Sequence, residues 1–434
     1  MAQYLDKYVL YRRTLFTIFW VWATFGFLQE ELLPFLASIR SVLFLGLDAL
    51  LLLLIILIVR DRKALFFAGG FLLLAVFSTF FVQKLSVINL INGCRDFLPM
   101  LSLPLYAEMQ RRYGNDFIER FDKQLFYFLV LQAPCIVWQF LNYGANDAGG
   151  GSLGWGYSGI ISTSIYIISF YLIQKRWTYT NYFKDLLDNK LLVILLFPTF
   201  LNETKVSFVF CLCYFLLLIK IDAKFILKMV VATPLALVVL FLVYNIYLSA
   251  TGNKDDITSV DYYTDTYLAV DDPDQLMMIG EMLQDGEFED DSWDVDLPRF
   301  TKIMFYPALM ESSNNSQLIG AGVSHFKGGT SLAQTKFAED YHWALTGTVP
   351  YSYFVLVQLG YIGIIGFIAY ILFYGFKIGQ KVSNRMLNIQ VMLFVVISIV
   401  LCYNDAFRVG VFNMIYCYLL TRSCNFTNND NISS

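Results

Sequence analysis

Histidine is almost missing from this chain: its 434 residues include only His325 and His342. Charge is scarce as well, at 15% of residues against 57% hydrophobic and 17% aromatic, with a mean hydropathy of +0.56. A soluble protein of this size needs more polar surface, so the composition excludes a water-soluble fold and implies a bilayer. Nucleotide and hydrolase signatures are missing too. No Walker-type phosphate loop, HExxH, GxSxG or CxxC pattern occurs, and the glycines of NDAGGGSLGWG (146–156) are not in GxGxxG order. ATP hydrolysis, zinc proteolysis and serine hydrolysis therefore have no support. Of the seven cysteines, all but Cys424 lie in apolar spans, so no disulfide framework is expected. Cys211 and Cys213 lack the spacing of a zinc site.

What is present is a series of apolar runs. Candidate spans cover 14–31, 41–59, 64–82, 86–107, 124–142, 157–174, 191–202, 204–219, 226–248, 351–376, 388–404 and 407–421. This predicts an all-α polytopic membrane protein with about twelve transmembrane helices, the short pair 191–202 and 204–219 being alternatively one broken or re-entrant hairpin. The expected organisation is a membrane region over 1–248, a large acidic loop over 249–350, and a second membrane region over 351–434. The first span follows a basic stretch without a small-residue cleavage site, and so reads as a retained helix.

Lysine and arginine concentrate on the cytoplasmic side of short loops, which orients the spans. With the N-terminus inside, 21 of the 31 cations fall on cytoplasmic segments and both termini are cytoplasmic. The ten that do not are Arg40, Lys84, Arg95, Lys205, Lys254, Arg299, Lys302, Lys327, Lys336 and Arg408.

The loop 249–350 then lies outside. From Asp255 to Asp296 it holds 15 acidic residues and no Lys or Arg, which reads as a solvated cap repelled by anionic lipid. Its EDDSWDVD stretch (289–296) lacks the glycine and terminal glutamate of a calcium loop, so no metal is expected there. LMMIGEMLQ (276–284) has helical spacing of apolar residues, for a packed cap helix or a surface helix.

Arg95 sits deep within its span, where a guanidinium needs either an ion partner on another helix or an anion in a watery cavity. Lys205 stands at the outer start of a span and either snorkels to the interface or faces a ligand. RFTKIMFYPALMESSNNSQLIGAG (299–322) reads as an amphipathic helix, a polar turn and a glycine-spaced tight turn.

Three stretches resemble the O-antigen polymerases and O-antigen ligases. RFTKIMFYPALMESSNNSQLIGAGVSHF (299–326) resembles the segment in which an arginine precedes a helix and a GxG turn ending in an aromatic residue. VPYSYFVLVQLGYIGIIGFI (349–368) resembles the following span with its LG..G..GF pattern, and ETKVSFVFCLCYFLL (203–217) an earlier one. GGGSLGWGYSGIISTSIYIISFYL (149–172) is a weaker fourth match. The chain departs from the family in carrying Thr204 and Lys205 where a serine and an arginine are usual, and in placing His342 some six residues early.

The resemblance implies a GT-C-like glycosyltransferase of the bacterial inner membrane that polymerises undecaprenyl diphosphate-linked repeat units at the outer face, with inversion. Donor and acceptor are both lipid-linked glycans. A flippase and a chain-length regulator are implied partners, and no nucleic acid or cofactor is. Arg299, Lys205 and Arg95 would hold the diphosphate, since the departing group gains negative charge and needs cations. His342 or His325, with Glu339 and Asp340 as alternative bases, would act on the acceptor hydroxyl. In DYHWALTGTVP (340–350) His342 also suits an interfacial aromatic belt beside Tyr341 and Trp343. A ligase that transfers to lipid A core sugar shares the donor. A transporter or a lipid-linked oligosaccharide flippase is the alternative of another class, though no internal repeat is visible.

Overall fold

The computed structural model describes residues 2–144, 149–202, 205–219, 238, 297–326, 335–375 and 384–425. These residues are helical, with no strand among them. Five helical stretches are long and apolar enough to cross a membrane: Pro34–Ile58, Arg62–Val82, Leu98–Tyr143, Tyr351–Tyr374 and Arg385–Cys402. The chain is an α-helical membrane protein. The span expected over 226–248 and the acidic stretch of the loop, including EDDSWDVD and LMMIGEMLQ, lie outside the described residues.

The helices are α1 Ala2–Phe27, α2 Arg40–Ile58, α3 Arg62–Val76, α4 Val87–Arg95, α5 Leu98–Leu101, α6 Leu103–Tyr143, α7 Ser158–Arg176, α8 Tyr182–Asp188, α9 Lys190–Ile194 and α10 Lys205–Leu217. After them come α11 Arg299–Ser312, α12 Lys336–Asp340, α13 His342–Leu345, α14 Tyr351–Gly375, α15 Asn384–Cys402 and α16 Gly410–Asn425.

Helices α7 and α16 are less apolar than the five and sit inside the bundle. In α7, Ser162, Thr163, Ser164, Ser169 and Gln174 are all buried, and Ser169 shares a hydrogen bond with Tyr214 of α10 at 3.0 Å. A helix packed on every side by other helices can carry polar residues, provided that they find partners there. On the outside, α2 and α3 expose Val42, Ile56, Phe66 and Leu73. A bilayer is the solvent that such a face fits.

Helix α6 is a hairpin. Gly114 takes φ 54°, ψ −137° inside it, a conformation costly for any residue with a Cβ. The chain folds back there, so that Tyr106 and Phe121 touch edge-on at 5.9 Å between centroids. Both arms then reach Tyr418 of α16: Gln110 Nε2 donates to its carbonyl at 3.3 Å, and its hydroxyl donates to Asp122 at 2.6 Å. Beside the fold, Arg112 donates to the carbonyl of Ile58 and Tyr8 donates to Asp116. Arg12, Arg60, Arg62, Lys63, Arg111 and Arg120 gather with them at this basic end of the bundle.

Helix α14 is broken too. Gly360 has φ 65° and ψ −166°, which releases the backbone groups on either side of it. The segment 317–322 satisfies them: Tyr361 and Ile362 donate their N–H to the carbonyls of Gln317 and Leu318, and Ala321 and Gly322 donate to those of Val357 and Gln358. Non-helical backbone in a bilayer is tolerable only when its polar groups are paired in this way. The two backbones meet so closely that a Cβ on Gly320 would stand 2.7 Å from the amide nitrogen of Gly360, and one on Gly360 would stand 2.3 Å from the carbonyl of Leu318.

Candidate functional site

Three of the ten cations that depart from the charge bias, Arg40, Arg95 and Arg408, meet at the end opposite the basic one. Arg40 opens α2, Arg95 closes α4, and Arg408 lies in the turn between α15 and α16. All three line one cavity of about 210 Å³, together with Asp48, Asp96 and Tyr157. Arg95 Nε donates to Asp48 Oδ2 at 2.5 Å, with both side chains mostly buried. Arg95 thus has the ion partner on another helix, and it also lines a cavity.

Arg408 is held on three sides. Nη1 donates to Asp405 at 3.0 Å, the guanidinium lies 4.7 Å from the centroid of Phe354, and a longer contact of 3.5 Å reaches the carbonyl of Phe326. Its Nε is buried without a hydrogen-bond partner among the described residues. A buried guanidinium N–H without an acceptor is costly, and the residue as a whole lines the cavity. The lining carries three arginines and two aspartates, and Asp405 pairs with Arg408 beside it, so carboxylates largely match the guanidinium charge. Glu30, which accepts the N–H of Trp155 at 2.6 Å, lies within electrostatic range of Arg40 at the rim.

Arg299 begins α11 and stacks on Tyr403 with its guanidinium carbon 3.9 Å from the ring centroid. Tyr403 precedes Asp405 and Arg408 in the same short connection, so Arg299 docks onto the element that carries Arg408. Lys302, one turn later, is 1% exposed and donates to the carbonyls of Thr346 at 2.6 Å and Thr348 at 3.2 Å. It ties α11 to the turn that enters α14. Lys205 is the first residue of α10, and its side chain lies outside the described residues.

The two histidines differ. His342 opens α13 and is exposed; Glu339 is exposed and Asp340 half-buried on α12. None of the three lines the arginine cavity. His325 is 3% exposed, with Nδ1 2.7 Å from Thr335 Oγ1 and Nε2 2.7 Å from the carbonyl of Ala321. The Ala321 carbonyl can only accept, so the neutral ring carries its hydrogen on Nε2 and Nδ1 accepts the hydroxyl of Thr335, whose Oγ1 also accepts the N–H of Ala338. Burial pushes this imidazole down to about 4. Nδ1 ties the segment to Thr335 at the start of α12, and Nε2 closes the 321–326 turn on itself. His325 therefore has the geometry of a latch, whereas His342 and Glu339 are exposed and Asp340 is half-buried.

Two cavity arginines, Arg40 and Arg408, were not singled out by motif reading. Their signal was their place among the ten cations that defy the charge bias. Among the described residues no group of three or more His, Cys, Asp or Glu is placed to hold a metal. Compared with protein-family models, curated proteins and solved structures, the chain matches none.

Proposed function

We propose that this protein is a glycosyltransferase of the bacterial inner membrane that polymerises undecaprenyl diphosphate-linked oligosaccharide repeat units at the outer face. In this reading the fold is a GT-C-like bundle of about twelve spans with cytoplasmic termini, and the basic end is the cytoplasmic one. The observation that carries it is the arginine cavity at the opposite end, where Arg40, Arg95 and Arg408 meet.

The proposed reaction needs no nucleotide, because the donor is already activated. The acceptor hydroxyl attacks the anomeric carbon of the growing chain, the bond from that carbon to the diphosphate oxygen breaks, and the electron pair leaves with undecaprenyl diphosphate. Guanidinium groups stabilise the charge that develops there. Arg95 and Arg408 take this role, together with Arg299 and Lys205. The hydroxyl proton passes to a base on the exposed rim, for which His342, Glu339 and Asp340 are the candidates.

The test is reconstitution in nanodiscs with a lipid-linked repeat unit, followed by separation of products by length. A ladder formed without nucleotide is the expected result. Transfer to lipid A core sugar with no ladder would make the protein a ligase, and movement of the intact lipid-linked oligosaccharide across vesicles without transfer would make it a flippase.

A further inference from the structure

A second cavity, of about 250 Å³, lies between α3 and α14 and is lined by apolar side chains such as Phe66, Phe67 and Phe71 from one helix and Val355 and Ile362 from the other. Its one hydroxyl, on Tyr370, donates to the carbonyls of Leu101 and Met100 at 3.3 and 3.5 Å. Two glycines in its lining, Gly70 and Gly366, have nothing within 4 Å of where a Cβ would stand, so a groove remains where side chains would ordinarily pack. Phe66, on its rim, is 77% exposed, which opens the groove toward lipid.

This groove and the arginine cavity share a wall. Within 95–101, Arg95, Asp96 and Pro99 line the polar cavity, whereas Phe97, Met100 and Leu101 line the apolar one. Phe354 joins them physically: it lies under Arg408 at 4.7 Å on one side and against Phe97 at 5.4 Å on the other. From Leu359 to Tyr370 the groove follows α14 for roughly 16 Å at 1.5 Å per residue, about half of a bilayer's apolar thickness. A charged pocket that opens beside a half-membrane apolar slot fits a single molecule with an anionic head and a long hydrocarbon chain.

We infer that the α3–α14 groove holds the polyprenyl chain of a lipid diphosphate whose head occupies the arginine cavity. The choice of a polyprenyl diphosphate over a phospholipid rests on the function proposed above; the juxtaposition of head and chain sites does not. Gly70 and Gly366 are then the residues that admit the chain, and filling them closes the groove without disturbing the helices, because leucine is the better helix former.

The test measures binding of undecaprenyl diphosphate and of geranyl diphosphate to the purified protein in nanodiscs, for wild type, Gly70→Leu, Gly366→Leu and Arg408→Ala. Wild type should prefer the long chain by well over tenfold, as expected for buried methylenes. Each leucine variant should remove that preference while leaving geranyl diphosphate binding and the Tm unchanged, and Arg408→Ala should weaken both ligands alike. A long-chain preference that survives both leucine variants overturns the groove, as does a wild type that binds both ligands equally. Equal competition by phosphatidylglycerol would show a site for bulk lipid and overturn the assignment to polyprenyl. Should these binding results hold while no glycan is ever extended, the proposed activity fails and the groove stands.

Discussion

Arg299 and Tyr403, which begin α11 and follow α15, stack with the guanidinium carbon 3.9 Å from the ring centroid. Such a contact needs the planar guanidinium as well as its charge, and contributes roughly 0.5–2 kcal/mol depending on desolvation. Arg299→Lys therefore loses the stack and keeps the charge. Arg299→Ala should cut glycan extension about ten- to a hundredfold with normal accumulation in the membrane, if one charge-assisted contact is lost. Arg299→Lys should fall between. Wild-type chain lengths in Arg299→Ala cells would take this arginine out of the reaction.

Asp48 and Arg95 should behave as a unit. Removing one member of a buried pair costs on the order of 3–5 kcal/mol, because the other charge stays in the interior. Arg95→Gln and Asp48→Asn should each lower the Tm substantially, and the double variant should be more stable than the sum of the single losses allows. Additive effects in this cycle would mean that the pair is not coupled.

Gly360→Ala should be severely destabilising. The conformation alone costs on the order of 1–3 kcal/mol for a residue with a Cβ, and the new methyl would stand 2.3 Å from the Leu318 carbonyl. Gly69→Ala, where a Cβ meets open space, is the control and should be neutral or slightly stabilising. Size-exclusion profiles and Tm in detergent separate the two outcomes.

His325 makes stability depend on pH. Its folded pKa, held down to about 4, lies below the ordinary 6.5 of an unfolded histidine, so the unfolded chain takes up the proton first. The stabilisation is complete above pH 6.5 and is lost as pH falls toward 4, on the order of 3 kcal/mol in all. His325→Gln should flatten the Tm profile over that window. An unchanged slope in the variant would show that other groups carry it.

Orientation is directly testable with two exposed sites. In a background lacking the native cysteines, Ser38→Cys, at the arginine-cavity end, should react with an impermeant maleimide on spheroplasts. Thr180→Cys, at the basic end, should react only after the membrane is opened. The reverse pattern inverts the proposed topology.

The helical membrane class and some helix positions were legible because apolar runs are local signals: the span expected over 351–376 is the helix Tyr351–Gly375, and the reading of 299–322 as helix, turn and glycine turn matches Arg299–Ser312 and the positive φ of Gly320 and Gly322, whereas the span expected over 86–107 is interrupted between Arg95 and Leu98. The break within α14 was not legible. Gly360 stands in an LG..G..GF run that reads equally well as an unbroken helix, and only the arrival of 317–322 makes the break stable. Likewise Asp48, the one acid in α2, is separated from Arg95 by 47 positions. Arg40 and Arg408 belong to the same cavity, yet no spacing in the chain links them. Pairings of that range are set by packing of the bundle and leave no periodic trace.

The bond pattern at Gly360 also sets an order of assembly. The segment 317–322 leaves the ribosome before α14 does, so it waits for a helix that can receive it. Until it docks, two amide protons and two carbonyls of α14 face hydrocarbon or each other with nothing to bind. Docking of this segment therefore follows synthesis of α14, and a chain that has not yet docked it should present a protease-sensitive 297–326 segment.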